Sequence, residues 1–244
     1  MPSIAKVYLV PTFLDEDSLF VIPNYVLDAV KECQVFFVEN ERSARRFLKK
    51  LWREMPIDEY EWFSIHKTEE QVRDAFRARL KQGKTIGILS EAGCPGIADP
   101  GQRLVEIAQE EQVVVKPLVG PSSILLALMA SGMNGQSFQF VGYLPVDPSQ
   151  RAKHIKELEQ ESRTRQSTQI FIETPYRNNQ LLETLLKSCL PGTRLCVAIN
   201  ITGKMERILT KTIGEWKRDI PDLNKQPAIF LLQATSMARV NHRR

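Results

Sequence analysis

One segment rich in glycine and proline constrains the fold of this chain most. Directly behind the apolar run Thr85–Ile88 the chain reads LSEAGCPGIADPG, from Leu89 to Gly101, and five of these thirteen residues are glycine or proline. A strand that ends in such a segment predicts a rigid, sharply turned loop whose backbone a ligand can approach closely. Open parallel sheets bind small molecules where a strand passes into a helix. We therefore expect a ligand-binding loop here, although a tight turn alone has the same composition.

Strand-like and helical patterns alternate through the first half of the chain. Apolar runs predict five strands, at 6–11, 34–39, 62–66, 85–91 and 113–119. Helical periodicity lies between them, near 22–32, 43–53, 68–82 and 101–112. The third of these helices opens with a capping-box pattern at Thr68 and Gln71. This alternation predicts a parallel sheet with helices on its faces.

The pattern changes after Pro121. A helix-like stretch, SSILLALMASG, is apolar almost all round and is therefore expected to be buried. The elements predicted after it are a strand at 138–144, a helix at 148–162, a strand at 169–174, a helix at 179–188, and strands at 194–201, 207–215 and 228–233. The last three strands have no long helix between them, which indicates antiparallel pairing. We predict two α/β domains, 1–118 with a parallel sheet and 119–236 with a mixed sheet, followed by a basic tail at 237–244.

Composition excludes several classes of protein. Of 244 residues 43% are hydrophobic and 25% charged, as in soluble globular proteins. No run reaches the roughly 18 apolar residues needed to cross a membrane, and the first residues do not resemble a signal peptide. The four cysteines form no CxxC pair and the three histidines have no metal-ligand spacing. We expect a cytoplasmic protein with reduced thiols, no metal and no membrane contact.

Charge is weak evidence for an RNA partner. The net charge of +4 owes much to the last six residues, which include three arginines. A more organised feature is a basic stripe on the second predicted helix, opposite an apolar stripe; its members are Arg42, Arg45, Arg46, Lys49, Lys50 and Arg53. The stripe is either a solvated face or a surface that contacts phosphates.

Four segments resemble, in the same order, motifs of the tetrapyrrole methylase superfamily. They are VYLVPTF from Val7, the Leu89–Gly101 segment, LVGPSSILLALMASG from Leu118 followed by FQFVGYLP from Phe138, and IFIETPYRNNQLL from Ile170. Within the superfamily, the chain is most similar to the branch of ribosomal RNA small subunit methyltransferase I. The resemblance implies an S-adenosylmethionine (SAM) cleft between two α/β domains, a homodimer, and methylation of a cytidine ribose 2′-hydroxyl in ribosomal RNA.

Three segments depart from the family motifs. The first loop, Pro11–Asp15, has no glycine; the segment at Glu39–Arg42 reads ENER; and Ile199–Lys204 lacks several expected charges. These departures put the identity of the methyl acceptor in question more than the binding of the cofactor. Two alternatives therefore stay open, a methyltransferase acting on a small tetrapyrrole-like acceptor and a SAM-binding protein without catalysis.

The resemblance also implies which residues contact SAM. They are Leu14; the loop residues Gly93, Cys94, Pro95, Gly96 and Ile97; Ser122, Ser123 and Ile124; and Pro227, Ala228 and Ile229. Methyl transfer from a sulfonium depends on alignment and on exclusion of water more than on acid–base chemistry. Some of these residues have simpler interpretations, since the serines can cap the following helix and Cys94 can be a buried bystander.

Candidates for acid–base chemistry and for RNA contact are fewer. A ribose hydroxyl as acceptor benefits from a base, for which Glu39, Glu91 and Lys204 are candidates. Glu91 and Asp99 can equally serve as turn formers around the loop. The candidate phosphate contacts are Arg45, Arg46, Lys49 and Arg177, and Arg177 can instead pair with Glu173. The acceptor is thus RNA or a small molecule.

Overall fold

The computed structural model of this chain describes residues 5–65 and 70–234. Thr68 of the expected capping box and the basic tail at 237–244 lie outside the described residues, and the side chain of Gln71 is likewise not described. The chain divides into two units, Met1–Ser122 and Ser123–Arg244. Within the described ranges, no helix is long and apolar enough to span a bilayer.

The first unit is built on a five-stranded parallel sheet. Its strands are β1 (Lys6–Leu9), β2 (Val35–Val38), β3 (Glu61–Ser64), β4 (Thr85–Leu89) and β5 (Val114–Pro117), in the order β3-β2-β4-β1-β5. Every neighbouring pair is parallel. The helices are α1 (Tyr25–Glu32), α2 (Glu41–Leu51), α3 (Glu70–Lys81) and α4 (Gln102–Glu110), with short 3-10 turns at Leu19–Val21 and Ile57–Glu59. The predicted parallel sheet is confirmed.

Alternation along the central strands explains why this sheet has two buried faces. Phe36 packs with residues of α1 and α2 on one face, whereas Phe37 packs with residues of α3 and α4 on the other. Successive side chains of a strand point to opposite faces, and helices cover both. The carboxyl ends of β1, β2 and β4 share one edge of the sheet, so the loops that follow them meet there.

The second unit has a mixed five-stranded sheet. Its strands are β6 (Phe138–Tyr143), β7 (Thr168–Ile172), β8 (Arg194–Ile199), β9 (Arg207–Thr212) and β10 (Ala228–Gln233), in the order β6-β7-β10-β8-β9. Among the strands described here, β6 and β7 pair in parallel and the other neighbouring pairs are antiparallel. The helices are α5 (Ser123–Ser131), α6 (Pro148–Arg165), α7 (Asn178–Ser188) and α8 (Ile213–Trp216). The predicted mixed sheet is confirmed.

Most predicted bounds differ from the structure by up to three residues, and one predicted strand contains a change of element. The strand expected at 207–215 ends at Thr212, and the short helix α8 follows. Thr212 Oγ1 accepts a hydrogen bond from the backbone N–H of Glu215, and the Glu215 carboxylate accepts one from the backbone N–H of Thr212. This capping box provides hydrogen-bond partners for backbone N–H groups at the start of α8. It therefore favours a helix, and not a continued strand, after Thr212.

Candidate functional site

The loop after β4 adopts a backbone that requires glycine. Gly93, Gly96 and Gly101 have φ values of +74°, +79° and +121°. L-residues with a side chain are strained at such angles, so these positions favour glycine. At Gly96 no heavy atom lies within 4 Å of the place that a Cβ would occupy. The space beside this backbone is open to a ligand.

The first loop of the chain is joined to this glycine-rich loop. The backbone N–H of Thr12 donates to the Gly93 carbonyl at 2.9 Å, which forms an isolated antiparallel bridge. A Cβ at Gly93 would lie 3.2 Å from Leu14 Cδ2 and 3.3 Å from the carbonyl oxygen of Pro121. The structure therefore brings together Leu14, Gly93 and the segment that leads into Ser122.

Other members of the loop differ in exposure. Pro95 is buried, whereas Ile97 is 54% exposed. Cys94 is half-buried, and its Sγ lies 3.5 Å from the carbonyl oxygen of Pro121. Burial raises the pKa of the Cys94 thiol, which disfavours the nucleophilic thiolate. Cys94 thus has the character of a structural residue rather than a nucleophile.

Three carboxylates gather where β2 and β4 end. The backbone N–H of Glu91 donates to Glu39 Oε2 at 2.9 Å, and Ser43 Oγ donates to Glu91 Oε1 at 3.1 Å. Burial raises the pKa of Asp99 to about 6, the negative charges of Glu39 and Glu91 add to the shift, and a hydrogen bond with Ser90 opposes it. Of the predicted bases, Glu39 and Glu91 lie together, while Lys204 belongs to the second unit, in the turn between β8 and β9.

Sequence reasoning assigned Asp99 only a turn-forming role. Its raised pKa depends on burial and on charges supplied by residues distant in sequence, and neither can be inferred from the loop itself. An acid that titrates near neutral pH can exchange protons with a reacting group, whereas one that titrates near pH 4 is a weak base at pH 7.

A cavity of about 270 Å³ lies within the first unit, and we call it the α2 pocket. It is lined by residues of the loops after β1 and β4 and of α2, namely Thr12, Phe13, Leu14, Glu16, Ser43, Ala44, Arg46, Phe47, Ser90, Glu91 and Ala92. The rings of Phe13 and Phe47 meet edge to face, with 5.2 Å between their centroids. The pocket therefore has aromatic and aliphatic walls with hydroxyl, carboxylate and guanidinium groups among them.

In the second unit, the predicted cofactor residues share one end of the sheet. β10 is antiparallel to both neighbours, so Ala228 lies opposite Ile199 at the end of β8 and Ile229 opposite Ile172 at the end of β7. The carbonyl of Pro227 accepts a hydrogen bond from the backbone N–H of Asn200 at 3.0 Å. Three chain segments thus hold the start of β10.

Helix α5 contributes to the same end of this sheet. It packs on β9 and β10, and its last turn is held near the carboxyl end of β10, where Arg194 Nη1 donates to the carbonyl of Gly132 at 3.2 Å. Its first residues, Ser123 and Ile124, therefore point towards the amino end of β10. Ser122 immediately precedes the helix.

Arg177 pairs with a carboxylate of its own segment. Its Nη2 lies 2.8 Å from Glu173 Oε2, and the Glu173 side chain is almost fully buried. Of the two interpretations of Arg177, a phosphate contact or a pair with Glu173, the structure displays the pair with Glu173. A guanidinium neutralised in this way has less charge to offer a phosphate.

The basic stripe on α2 is partly neutralised as well. Arg45 pairs with Glu41 and Asp58, and Arg46 Nη1 lies 2.6 Å from Glu16 Oε1. Lys49, in contrast, donates to two backbone carbonyls, those of Arg53 and Met55. The opposite face of the helix is buried as expected, through Ala44, Phe47 and Leu48.

Comparison with known proteins identifies the family. Residues 23–217 match the family described as Tetrapyrrole (Corrin/Porphyrin) Methylases. The chain belongs to the tetrapyrrole methylase family. Family membership makes it a SAM-dependent methyltransferase, which confirms the predicted enzyme class and cofactor.

Relatives in sequence are proteins named ribosomal RNA small subunit methyltransferase I. The protein from Vibrio cholerae is 33% identical, over 85% of this chain and 69% of its own length. That from Escherichia coli O157:H7 is 27% identical, over 93% of this chain and 77% of its own length. A relative from Halalkalibacterium halodurans is 35% identical, but the match spans only 57% of this chain and about half, 48%, of that protein.

Solved structures agree in fold. The methyltransferase CobJ has a TM-score of 0.62 at 16% identity and covers 96% of this chain and 95% of its own. Uroporphyrin-III C-methyltransferase from Thermus thermophilus, complexed with S-adenosylhomocysteine, has a TM-score of 0.57 at 16% identity, over 93% of this chain and 97% of its own. At these identities the likeness concerns the fold alone.

Proposed function

We propose that this chain transfers the methyl group of SAM to ribosomal RNA of the small subunit, at the 2′-hydroxyl of a cytidine. The observation that carries the proposal is similarity to proteins named for that RNA, which extends over 93% of the chain in one relative. The altered segments at Pro11–Asp15 and Ile199–Lys204 leave the glycine-rich loop intact.

We also infer a cytoplasmic homodimer, for which light scattering should give twice the mass of one chain.

In this proposal the cofactor is bound by backbone rather than by charged side chains. The proposed contacts are Leu14, the loop at 93–97, Ser122, Ser123, Ile124 and residues 227–229. The open space beside Gly96 fits a ligand that approaches the chain closely. SAM supplies an electrophilic methyl group, so the protein has mainly to hold acceptor and donor in line and keep water out, and in addition to remove the proton of a hydroxyl acceptor.

Substitution of Gly96 by valine tests the loop. Valine is strained at a φ of +79°, and its side chain would occupy the open space beside the backbone. We expect SAM affinity to fall at least tenfold, about 1.4 kcal/mol, as measured by calorimetry.

Gly142→Val is a matched control. Gly142 has a φ of +71° and equally open surroundings, but it lies in β6. This control should carry the same backbone strain and keep wild-type SAM affinity. If the folded Gly96→Val protein binds SAM as the wild type does, the loop is not the site.

The acceptor hydroxyl needs a base close to the loop. We propose that the Asp99 carboxylate takes this proton, with burial first, and the charges of Glu39 and Glu91 in addition, keeping its pKa high enough for the task. The hydroxyl oxygen forms the new bond to the methyl carbon while the carbon–sulfur bond breaks. Asp99 lies in the loop after β4 itself and interacts with Ser90, Glu91 and Glu39, so it belongs to the carboxylate group beside the proposed cofactor contacts.

The basic face of α2 is proposed to contact RNA phosphates, with Lys49 contributing more than the paired Arg45 and Arg46. In the double variant Arg42→Gln, Lys49→Gln, RNA affinity should fall and the slope of log affinity against log salt should shrink by roughly 1.5 units. Both residues are exposed, so the variant should stay folded and bind SAM normally. Filter binding at several salt concentrations measures the slope.

Lys153→Gln with Lys187→Gln removes the same charge from exposed positions on α6 and α7. This control should change the slope less than the α2 variant does. Equal changes in both variants would mean that net charge, and not the α2 face, sets RNA affinity. Arg177→Gln should have little effect because Glu173 already neutralises that guanidinium.

Label transfer tests the proposed function directly. The full chain is incubated with methyl-labelled SAM and small ribosomal subunits from cells lacking this gene, or with a tetrapyrrole precursor or a small-molecule extract. We expect label in ribosomal RNA and, after digestion to nucleosides, in 2′-O-methylcytidine. Label in the small-molecule fraction alone would favour the tetrapyrrole-like acceptor, and SAM binding without any transfer would favour a non-catalytic protein.

A further inference from the structure

The α2 pocket lies beside the loop proposed to bind the cofactor. Glu91 and Ala92, which line it, immediately precede Gly93, and Leu14 belongs both to the pocket and to the predicted cofactor residues. A molecule in this pocket therefore lies next to the glycine-rich loop. That is where an acceptor has to lie for methyl transfer.

We propose that the α2 pocket binds the acceptor nucleoside, a single cytidine turned out of its RNA helix, and that Glu91 recognises the exocyclic amine of the base. This inference rests on the function proposed above and adds the place and the chemistry by which the acceptor is chosen. Enzymes that modify nucleotides commonly extrude the target from its stack and bind it in a closely fitting pocket.

Size favours one nucleoside over a larger acceptor. The cavity volume of about 270 Å³ is just below the range of roughly 300–1,000 Å³ found for pockets that hold drug-sized ligands. One base with its sugar is at the small end of that class. A macrocycle of four pyrrole rings is several times larger than a pyrimidine, so it would extend beyond this cavity, whereas one nucleoside matches its volume.

The walls suit a pyrimidine nucleoside. Phe13, Phe47 and Ala44 line the pocket with apolar groups. The hydroxyls of Thr12 and Ser90 already donate to the backbone carbonyls of Ser90 and Ala92, so towards a ligand they can act only as acceptors. Arg46, with a side chain 48% exposed, has donors beyond the one directed to Glu16 and can donate a hydrogen bond to an oxygen of the nucleoside.

Glu91 is the residue that would distinguish cytosine from uracil. A carboxylate accepts several hydrogen bonds, so capacity remains after the bond from Ser43 Oγ. Cytosine presents an amine at the position where uracil presents a carbonyl, and Glu or Asp is the side chain that accepts from this amine. Uracil in the same place would set its carbonyl oxygen against the carboxylate, so the pocket should reject it.

Two variants test the pocket without relying on methyl transfer. Ala92→Leu adds carbon atoms to an exposed wall of the cavity, and Glu91→Gln replaces the carboxylate with an amide that can also donate. The probes are cytidine 5′-monophosphate and uridine 5′-monophosphate, with binding to the full chain followed by NMR titration. Ala152→Leu, on α6, is the control for added bulk.

We expect wild-type protein to prefer the cytidine nucleotide about tenfold, Glu91→Gln to lose most of this preference, and Ala92→Leu to lose binding at least tenfold with SAM affinity unchanged. If RNA is labelled but neither variant alters nucleotide binding, the pocket inference is wrong while the proposed function stands. If the nucleotide binds as expected but no RNA is labelled, the proposed function fails, and with it the acceptor role of the pocket, which then remains a cytidine nucleotide site. If Ala92→Leu weakens SAM binding instead, the pocket belongs to the cofactor and the inference is overturned.

Discussion

Replacement of Asp99 by asparagine is expected to lower the rate of methyl transfer at pH 7.5 at least a hundredfold and to leave SAM affinity within about twofold. A positioned general base contributes roughly 10²- to 10⁴-fold to a rate, and an amide cannot accept the proton. Since the pKa of Asp99 is raised to about 6, the wild-type rate should increase with pH through this value and level off above it. Single-turnover assays with saturating SAM between pH 5 and 8 measure both effects.

The same substitution, Asp99→Asn, should lower the rate but should not lower the free energy of unfolding at alkaline pH. The pKa of an aspartic acid is near 4 in the unfolded chain, and that of Asp99 is higher in the folded protein. The folded protein therefore binds this proton more tightly than the unfolded chain does. The contribution of Asp99 to stability is therefore present at low pH and is lost as the pH rises through about 6. At pH 8 Asp99→Asn should be at least as resistant to urea as the wild type, and its stability should change less between pH 4 and 7.

Asp74→Asn, at an exposed position of α3, is the matched control and should change neither activity nor the pH dependence of stability. An Asp99→Asn protein that keeps its full rate would exclude Asp99 as the base. The search would then return to Glu39 and Glu91, whose variants should be measured in the same assay.

Periodicity was sufficient to predict both sheets. In the first unit, short apolar runs separated by amphipathic helices predict strands that are buried on both faces of a sheet. Phe36 and Phe37 accordingly belong to the two cores on opposite faces. In the second unit, the absence of long helices between the last strands predicted their antiparallel pairing. These features depend on local spacing, which the sequence displays directly.

Features that depend on contacts between distant residues were not predictable in this way. The neutralisation of Arg46 depends on Glu16, which does not lie on the same helix. That of Arg45 is shared between Asp58, also outside the helix, and Glu41, whose i,i+4 spacing is a local signal. The pKa of Asp99 depends first on burial in the folded chain and then on Glu39, which is sixty residues away in sequence. The helix α8, in contrast, had a local signal: Thr212 and Glu215 have the spacing of a capping box.

Gly120→Ala is expected to lower the free energy of unfolding by about 2–3 kcal/mol, although Gly120 has no positive φ that favours glycine. A Cβ at this position would lie 2.1 Å from Cβ of Pro11 and 2.5 Å from its Cγ, a rigid ring that cannot rotate away. Relief of this overlap has to move the backbone of one segment. Urea unfolding measures the change.

The displacement should also reach the candidate cofactor site. Pro11 precedes Thr12, whose N–H holds the carbonyl of Gly93, so a shift of the first loop disturbs the bridge to the glycine-rich loop. SAM affinity should fall together with stability. Gly135→Ala is the control, because no heavy atom lies within 4 Å of its added Cβ, and it should leave both quantities nearly unchanged. If Gly120→Ala is as stable as this control, the close approach of Pro11 and Gly120 does not exist in solution, and the link from the first loop to the cofactor site loses its structural basis.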